Sequence, residues 1–205
     1  LAAGAVIEAQ HHEHNIFKMG GLKNSMPIVF LTFLAGAASL AALPLVTAGL
    51  FSKDPILWYA WSAENGNTFL WILAVAGAFV TAFYSTRLML VVFWGERKTP
   101  VSERTGKWMT APLIILAIAS VAAGWMEWPH NLIHFTLFSD QLQQVLPAVV
   151  LKQSLPSEFI FQGIAALVTI AGLYTGYVLY YRNKTILEGW RQSAGPSPGR
   201  SSRET

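Results

Sequence analysis

Not one of the chain's 205 residues is a cysteine. That excludes a disulfide framework, and it excludes iron–sulfur clusters and zinc sites held by thiolates. Charge is scarce too: Asp, Glu, Lys and Arg make up 12% of the residues, while 53% are hydrophobic. An average soluble domain carries about 25% charged residues. The sequence also lacks a Gly-rich phosphate loop and a recognisable nucleophile motif.

What is present is a set of long uncharged runs. A helix needs about 20 mostly apolar residues to cross the hydrocarbon of a bilayer. Four windows meet that requirement, about 27–51, 69–94, 109–128 and 159–181. The opening stretch Leu1 to Ala9 reads as the tail of a further helix. It has no basic lead, no adequate apolar run and no start methionine, so it is not a secretory signal, and the chain is expected to begin inside a larger reading frame. The expected fold is an all-α membrane protein. Residues 1–26 form the end of a truncated helix and a cytoplasmic loop, 27–192 a transmembrane bundle, and 193–205 a disordered tail rich in Gly, Pro and Ser.

The net charge of +3 follows the topology. Lys18 and Lys23 precede the first span, Arg97, Lys98, Arg104 and Lys107 follow the second, and Arg182, Lys184 and Arg191 follow the fourth. The intervening loops hold only Lys152. Under the positive-inside rule the three basic loops are cytoplasmic, and nucleic acid is not needed to explain them.

Within the first window, Asn24 and Ser25 are possible helix caps, with Pro27 in the first turn. Pro44 and Gly49 then weaken helix continuity in a medium where unpaired backbone groups are costly. Two geometries follow. In one, the helix breaks between about Leu43 and Ser52, Asp54 caps a second half-helix with Pro55 at its first position, and the broken span covers about 27–62. In the other, one helix ends near Phe51 and Lys53 lies at the membrane surface.

Lys53 is the sharpest candidate for chemistry, because an ionisable side chain in hydrocarbon costs roughly 2.5–3.5 kcal/mol and such residues tend to mark ion pathways. A desolvated lysine can release its proton, whereas a guanidinium stays charged. Arg87, about two turns from the cytoplasmic end of the second span, can snorkel to water or form an internal ion pair. The histidines of "HHEH" (His11, His12, His14) and the pair His130 and His134 look superficially metal-like, but no carboxylate completes a known motif, so no metal is expected. Small residues in "LAVAGAFVTAF" and "AIASVAAG" suit close helix packing.

Taken together and in order, "HHEHNIFKMGGLKNSMP", "LPLVTAGLFSKD" and "FYSTRLMLVVFWG" resemble one family, the L subunit or chain 5 of proton-translocating NADH-quinone oxidoreductase, respiratory complex I. The resemblance is strongest over 11–98, weaker over the two later spans and absent from about Ser193. It implies a lysine in a discontinuous helix on a hydrophilic axis, matched here by Lys53, with Asp54 as its acidic neighbour on the same proton path. It also implies partners among the other membrane subunits and the lipid bilayer, in a bacterial inner membrane crossed several times. NADH, FMN, iron–sulfur clusters and quinone would be bound by other subunits, with no cofactor in this chain. Family members are much longer, so the chain is expected to be a C-terminal fragment, inactive by itself. The alternatives are a subunit of a multisubunit cation/proton antiporter or membrane-bound hydrogenase, and an inactive structural fragment.

Overall fold

The computed structural model describes residues 1–43, 48–95, 97–99, 106–123 and 158–182. His130, His134, Lys152 and the expected tail at 193–205 lie outside them. The described residues form helices and no strand: α1 (Ala2–Ala9), a 3-10 turn (Ile16–Lys18), α2 (Pro27–Ala41), α3 (Ala48–Ser62), α4 (Thr68–Phe93), α5 (Lys107–Ala122) and α6 (Glu158–Tyr177). A π-helical turn, Val178–Arg182, continues α6.

Two of these are long and apolar enough to cross a bilayer, Thr68–Phe93 with 26 residues and Glu158–Arg182 with 25. Their boundaries fall within a residue of the 69–94 and 159–181 windows. Pro27–Ala41 and Trp108–Ala122 are shorter apolar helices. Most side chains on the two long helices are not covered by the rest of the chain. Leu70, Ile72, Leu73, Leu167 and Ile170, for example, are exposed. An outward apolar surface of this kind suits lipid as solvent, and the protein is an all-α membrane protein.

α4 and α6 make the most extensive helix pair. Gly172 and Gly176, one turn apart on α6, permit it. A Cβ at Gly172 would lie 2.7 Å from the Phe79 carbonyl oxygen and 2.9 Å from the Ala82 Cβ, and one at Gly176 would lie 2.8 Å from the Thr86 Cβ. This is the small-residue helix contact that membrane bundles use, because dispersion and close backbone approach replace the hydrophobic drive available in water. Ala78 and Ala82, from the small-residue stripe on α4, are buried.

Aromatic clusters sit at the two ends. At the end where α2 starts and α4 finishes, Phe93 packs edge-on against Phe30 at 5.4 Å and Phe33 at 5.3 Å, and the Lys23 ammonium lies 4.7 Å from the Trp94 ring centroid. This basic end also holds the main core, in which Val6, Leu22, Val29, Val92 and Phe93 are buried together. At the other end Trp58, Trp61 and Trp71 surround Phe161 at 5.2–5.5 Å, joining α3, α4 and α6. Between α3 and α4 the chain turns over 63–67. Asn67 caps α4 by accepting the Phe69 N–H at 2.8 Å, and Gly66 leaves room for three carbonyls that a Cβ would strike.

The start of α2 differs from expectation. Its N-cap is the buried Met26, and neither Asn24 nor Ser25 caps it. The residues before it already form a turn, in which the Ser25 and Met26 N–H groups donate to the Leu22 carbonyl, and Pro27 at the first position has no N–H in need of a partner.

Candidate functional site

α2 ends in a Schellman turn. The Leu43 N–H donates to the Ala38 carbonyl and the Ala42 N–H to the Ser39 carbonyl, each at 3.0 Å, and Ala42 takes the left-handed conformation at φ 57°. An alanine occupies the position that glycine usually fills. The two hydrogen bonds satisfy the Ala38 and Ser39 carbonyls and leave that of Leu40 pointing beyond the helix end.

Lys53 fills the gap. It lies in the second turn of α3, and its Nζ donates to the Leu40 oxygen at 3.4 Å. The cation thus sits at the negative end of the α2 dipole, which favours it. Three hydroxyl-bearing residues, Ser39, Ser52 and Ser120, line the same cleft of about 590 Å³, together with Gly36, Leu40 and Ile56. The cleft opens where α2, α3 and α5 meet. An ammonium beside a carbonyl can hand a proton to water that enters such a space.

Asp54 does not cap α3. The helix begins six residues before it, at Ala48, so Asp54 and Pro55 are interior positions. Pro55 removes only the donation to the Phe51 carbonyl, a loss that a packed membrane helix tolerates. Successive positions on a helix point about 100° apart, and no salt bridge joins Asp54 to Lys53 among the described residues. Asp54 is half-buried, within electrostatic reach of both Lys53 and Glu158 at the start of α6. Glu158, Ser39 and Ser120 are members of this neighbourhood that sequence reasoning missed. They come from helices remote in sequence, and nothing local marks them.

Arg87 pairs with no acid among the described residues. Its guanidinium carbon lies 5.5 Å from the Phe17 ring centroid and 5.5 Å from that of Tyr180. Among the "HHEH" residues, His11 and His12 adopt positive φ, and Glu13 is engaged by Lys18 at 2.9 Å. The described residues contain no group of His, Asp and Glu able to hold a metal.

Comparison with known proteins connects this geometry to a family. Residues 1–83 match a transmembrane family described as NADH:quinone oxidoreductase/Mrp antiporter. The chain is 38% identical over 200 residues to NADH-quinone oxidoreductase subunit L of Escherichia coli, covering 98% of the chain and 30% of that protein. It is 37% identical, with the same coverage, to subunit L of Pseudomonas aeruginosa. Against NADH-ubiquinone oxidoreductase chain 5 of Phytophthora infestans it is 32% identical over 198 residues, covering 88% of the chain and 28% of that protein. An alignment of 200 residues extends into the region after Ser193, where no resemblance was expected. The chain spans about 30% of the length of these relatives. Over that span it belongs to the subunit L family of NADH-quinone oxidoreductases.

Proposed function

We propose that the chain is part of the proton-translocating membrane arm of an NADH-quinone oxidoreductase, where Lys53 and Asp54 lie on the path that protons take when quinone is reduced elsewhere in the complex. Its partners in this reading are the other membrane subunits and the lipid bilayer of a bacterial inner membrane, which it crosses several times. NADH, FMN, the iron–sulfur clusters and quinone belong to those other subunits.

One observation carries the reading: the Lys53 ammonium is seated on the open end of α2, in a mostly apolar cleft whose lining includes Ser39, Ser52 and Ser120. Geometry supports placing it inside the membrane. The 15 residues of α2 reach only about 22 Å, short of the ~30 Å hydrocarbon core. We therefore take α2 and α3 as two halves of one discontinuous span starting at the basic end, so that Lys53 lies within the hydrocarbon. There the orphan carbonyl of α2 and the lysine satisfy one another, and a lysine that can exchange its proton becomes a relay.

The test is Lys53→Ala in a full-length subunit L assembled into the complex. Proton pumping per NADH oxidised is expected to fall while assembly is unchanged; full pumping at normal assembly would remove the reading. Because the matching family also covers Mrp antiporters, sodium-driven proton flux without NADH is the observation that would favour cation exchange instead.

A further inference from the structure

Arg87 lies six residues before the end of α4, about 9 Å along the helix from the basic end. Two aromatic rings lie against its guanidinium. The guanidinium carbon is 5.5 Å from the ring centroid of Phe17, in the 3-10 turn, and 5.5 Å from that of Tyr180, in the π-helical turn. The Nε is buried and has no hydrogen-bond partner, and no carboxylate reaches the group among the described residues. Stacking satisfies the π faces of a guanidinium and leaves its N–H groups, which all lie in the plane of the group. A buried charged donor without an acceptor is costly, so this edge calls for an acceptor that the described residues do not supply.

Fork geometry and charge specify what fits. Two parallel N–H groups match the paired oxygens of a phosphate or carboxylate. The surroundings favour phosphate carried by lipid. Phe17 is 50% exposed, and along the same end of the α4–α6 pair Tyr84, Tyr177 and Tyr181 are 42–50% exposed, as in an aromatic belt at headgroup depth. The described charges at this end are mostly cationic. Lys18, Lys23, Arg97, Lys98 and Arg182 stand against Glu8 and Glu13, and Glu13 is already held by Lys18.

We infer that the guanidinium edge of Arg87, held against the rings of Phe17 and Tyr180, binds the phosphodiester of an anionic membrane lipid. This does not depend on the proton-transfer reading of Lys53. Tyr180 belongs to the π-helical turn that follows the helix.

The experiment uses the full chain in phosphatidylcholine nanodiscs containing a minor fraction of phosphatidylglycerol, with retained lipid counted by native mass spectrometry. Wild type is expected to retain phosphatidylglycerol, and Arg87→Gln to lose affinity for it by roughly fivefold to tenfold. Arg87→Lys keeps the charge without the fork and is expected to fall between them; if Arg87→Gln fails to fold, this variant carries the test. Retention equal to wild type in a folded variant overturns the inference. So does displacement of the lipid by excess inorganic phosphate, which would assign the site to a free anion. Unchanged retention combined with failure of Arg87→Gln to assemble with the other subunits would assign it to a carboxylate on a neighbouring protein, and overturns it equally.

Discussion

The Lys53 ammonium crosses 13 residues of sequence to donate to the Leu40 carbonyl at 3.4 Å, closing the open end of one helix with a side chain from the next. Two roles are combined in that contact. The charge stabilises the end of α2, and the amine is the group proposed to exchange a proton. Arginine separates them, since it donates and carries charge but does not release a proton at physiological pH. Lys53→Arg in a full-length subunit is expected to assemble normally and to lose proton translocation as completely as Lys53→Ala. Pumping at the wild-type rate in the arginine variant, measured with a pH-sensitive dye in proteoliposomes, would reduce Lys53 to a helix cap.

The cleft around Lys53 carries a second expectation. Ser120 already donates to the Ala117 carbonyl at 2.9 Å, so its oxygen faces outward mainly as an acceptor. If water in the cleft receives the Lys53 proton, removing the Ser39 and Ser120 hydroxyls together is expected to slow pumping several-fold, and Ser→Thr at both positions is expected to restore it. Equal rates for the double alanine variant and wild type would show that the serines only pack. An unchanged rate here with a null Lys53→Ala would leave the lysine's role intact.

How much of this is legible in the sequence depends on range. The windows 69–94 and 159–181 are plain, because the requirement for about 20 uncharged residues acts locally. Helix ends set by neighbours are not plain. Pro44 signals a stop, but α2 ends three residues earlier through a left-handed alanine. Asp54–Pro55 has the form of a helix start, yet it lies inside α3, where packing tolerates the missing bond. Arg87 stands out as a charge within an apolar window, but its ring partners are Phe17 and Tyr180, far away in the chain in both directions. The α4 side of the main helix contact is visible in its alanines. Gly172 and Gly176 have the matching spacing, but only the position of α4 reveals which of the α6 glycines it needs.

Those two glycines give a sharp stability prediction. The Phe79 carbonyl that a Gly172 methyl would strike is helix backbone, and the Thr86 side chain facing Gly176 is fixed by its own donation to the Ala82 carbonyl at 2.9 Å. Neither can yield cheaply, so Gly172→Ala and Gly176→Ala are each expected to cost about 1–3 kcal/mol. Gly163 is the control. It lies on the same helix, and a methyl added there would meet nothing within 4 Å, so Gly163→Ala is expected to be neutral or to stabilise by up to about 1 kcal/mol. Reversible unfolding in mild detergent measures all three, and equal losses would show that helix propensity rather than contact governs.

The loop that carries Phe17 has its own pH dependence. Glu13 accepts the Asn15 N–H at 2.9 Å and pairs with Lys18 at 2.9 Å, and these hold its carboxyl below the usual carboxylate range, the backbone donor first. A depressed folded-state value stabilises the turn at pH above the unfolded value of about 4.3, and that support is lost as pH falls through the lower folded value. Amide exchange at Asn15 and Phe17 is therefore expected to accelerate relative to its intrinsic rate only on acidification below about pH 4. Glu13→Gln is expected to remove this step; a step that persists in the variant would belong to another group.

Ala42 offers the last prediction, and it separates local strain from function. A left-handed conformation costs a non-glycine residue about 1–2 kcal/mol, because its Cβ crowds the following carbonyl. Glycine at that position keeps both Schellman hydrogen bonds without the crowding. Glycine's greater freedom in the unfolded chain takes back part of the gain, so Ala42→Gly is expected to stabilise the protein by a net ~0.5–1 kcal/mol. Unfolding in detergent reads that change directly. If stability rises while pumping by the full-length subunit is unaltered, the alanine is incidental. If stability rises and pumping falls, the strained alanine holds the Leu40 carbonyl where Lys53 needs it, and the left-handed turn belongs to the proton path.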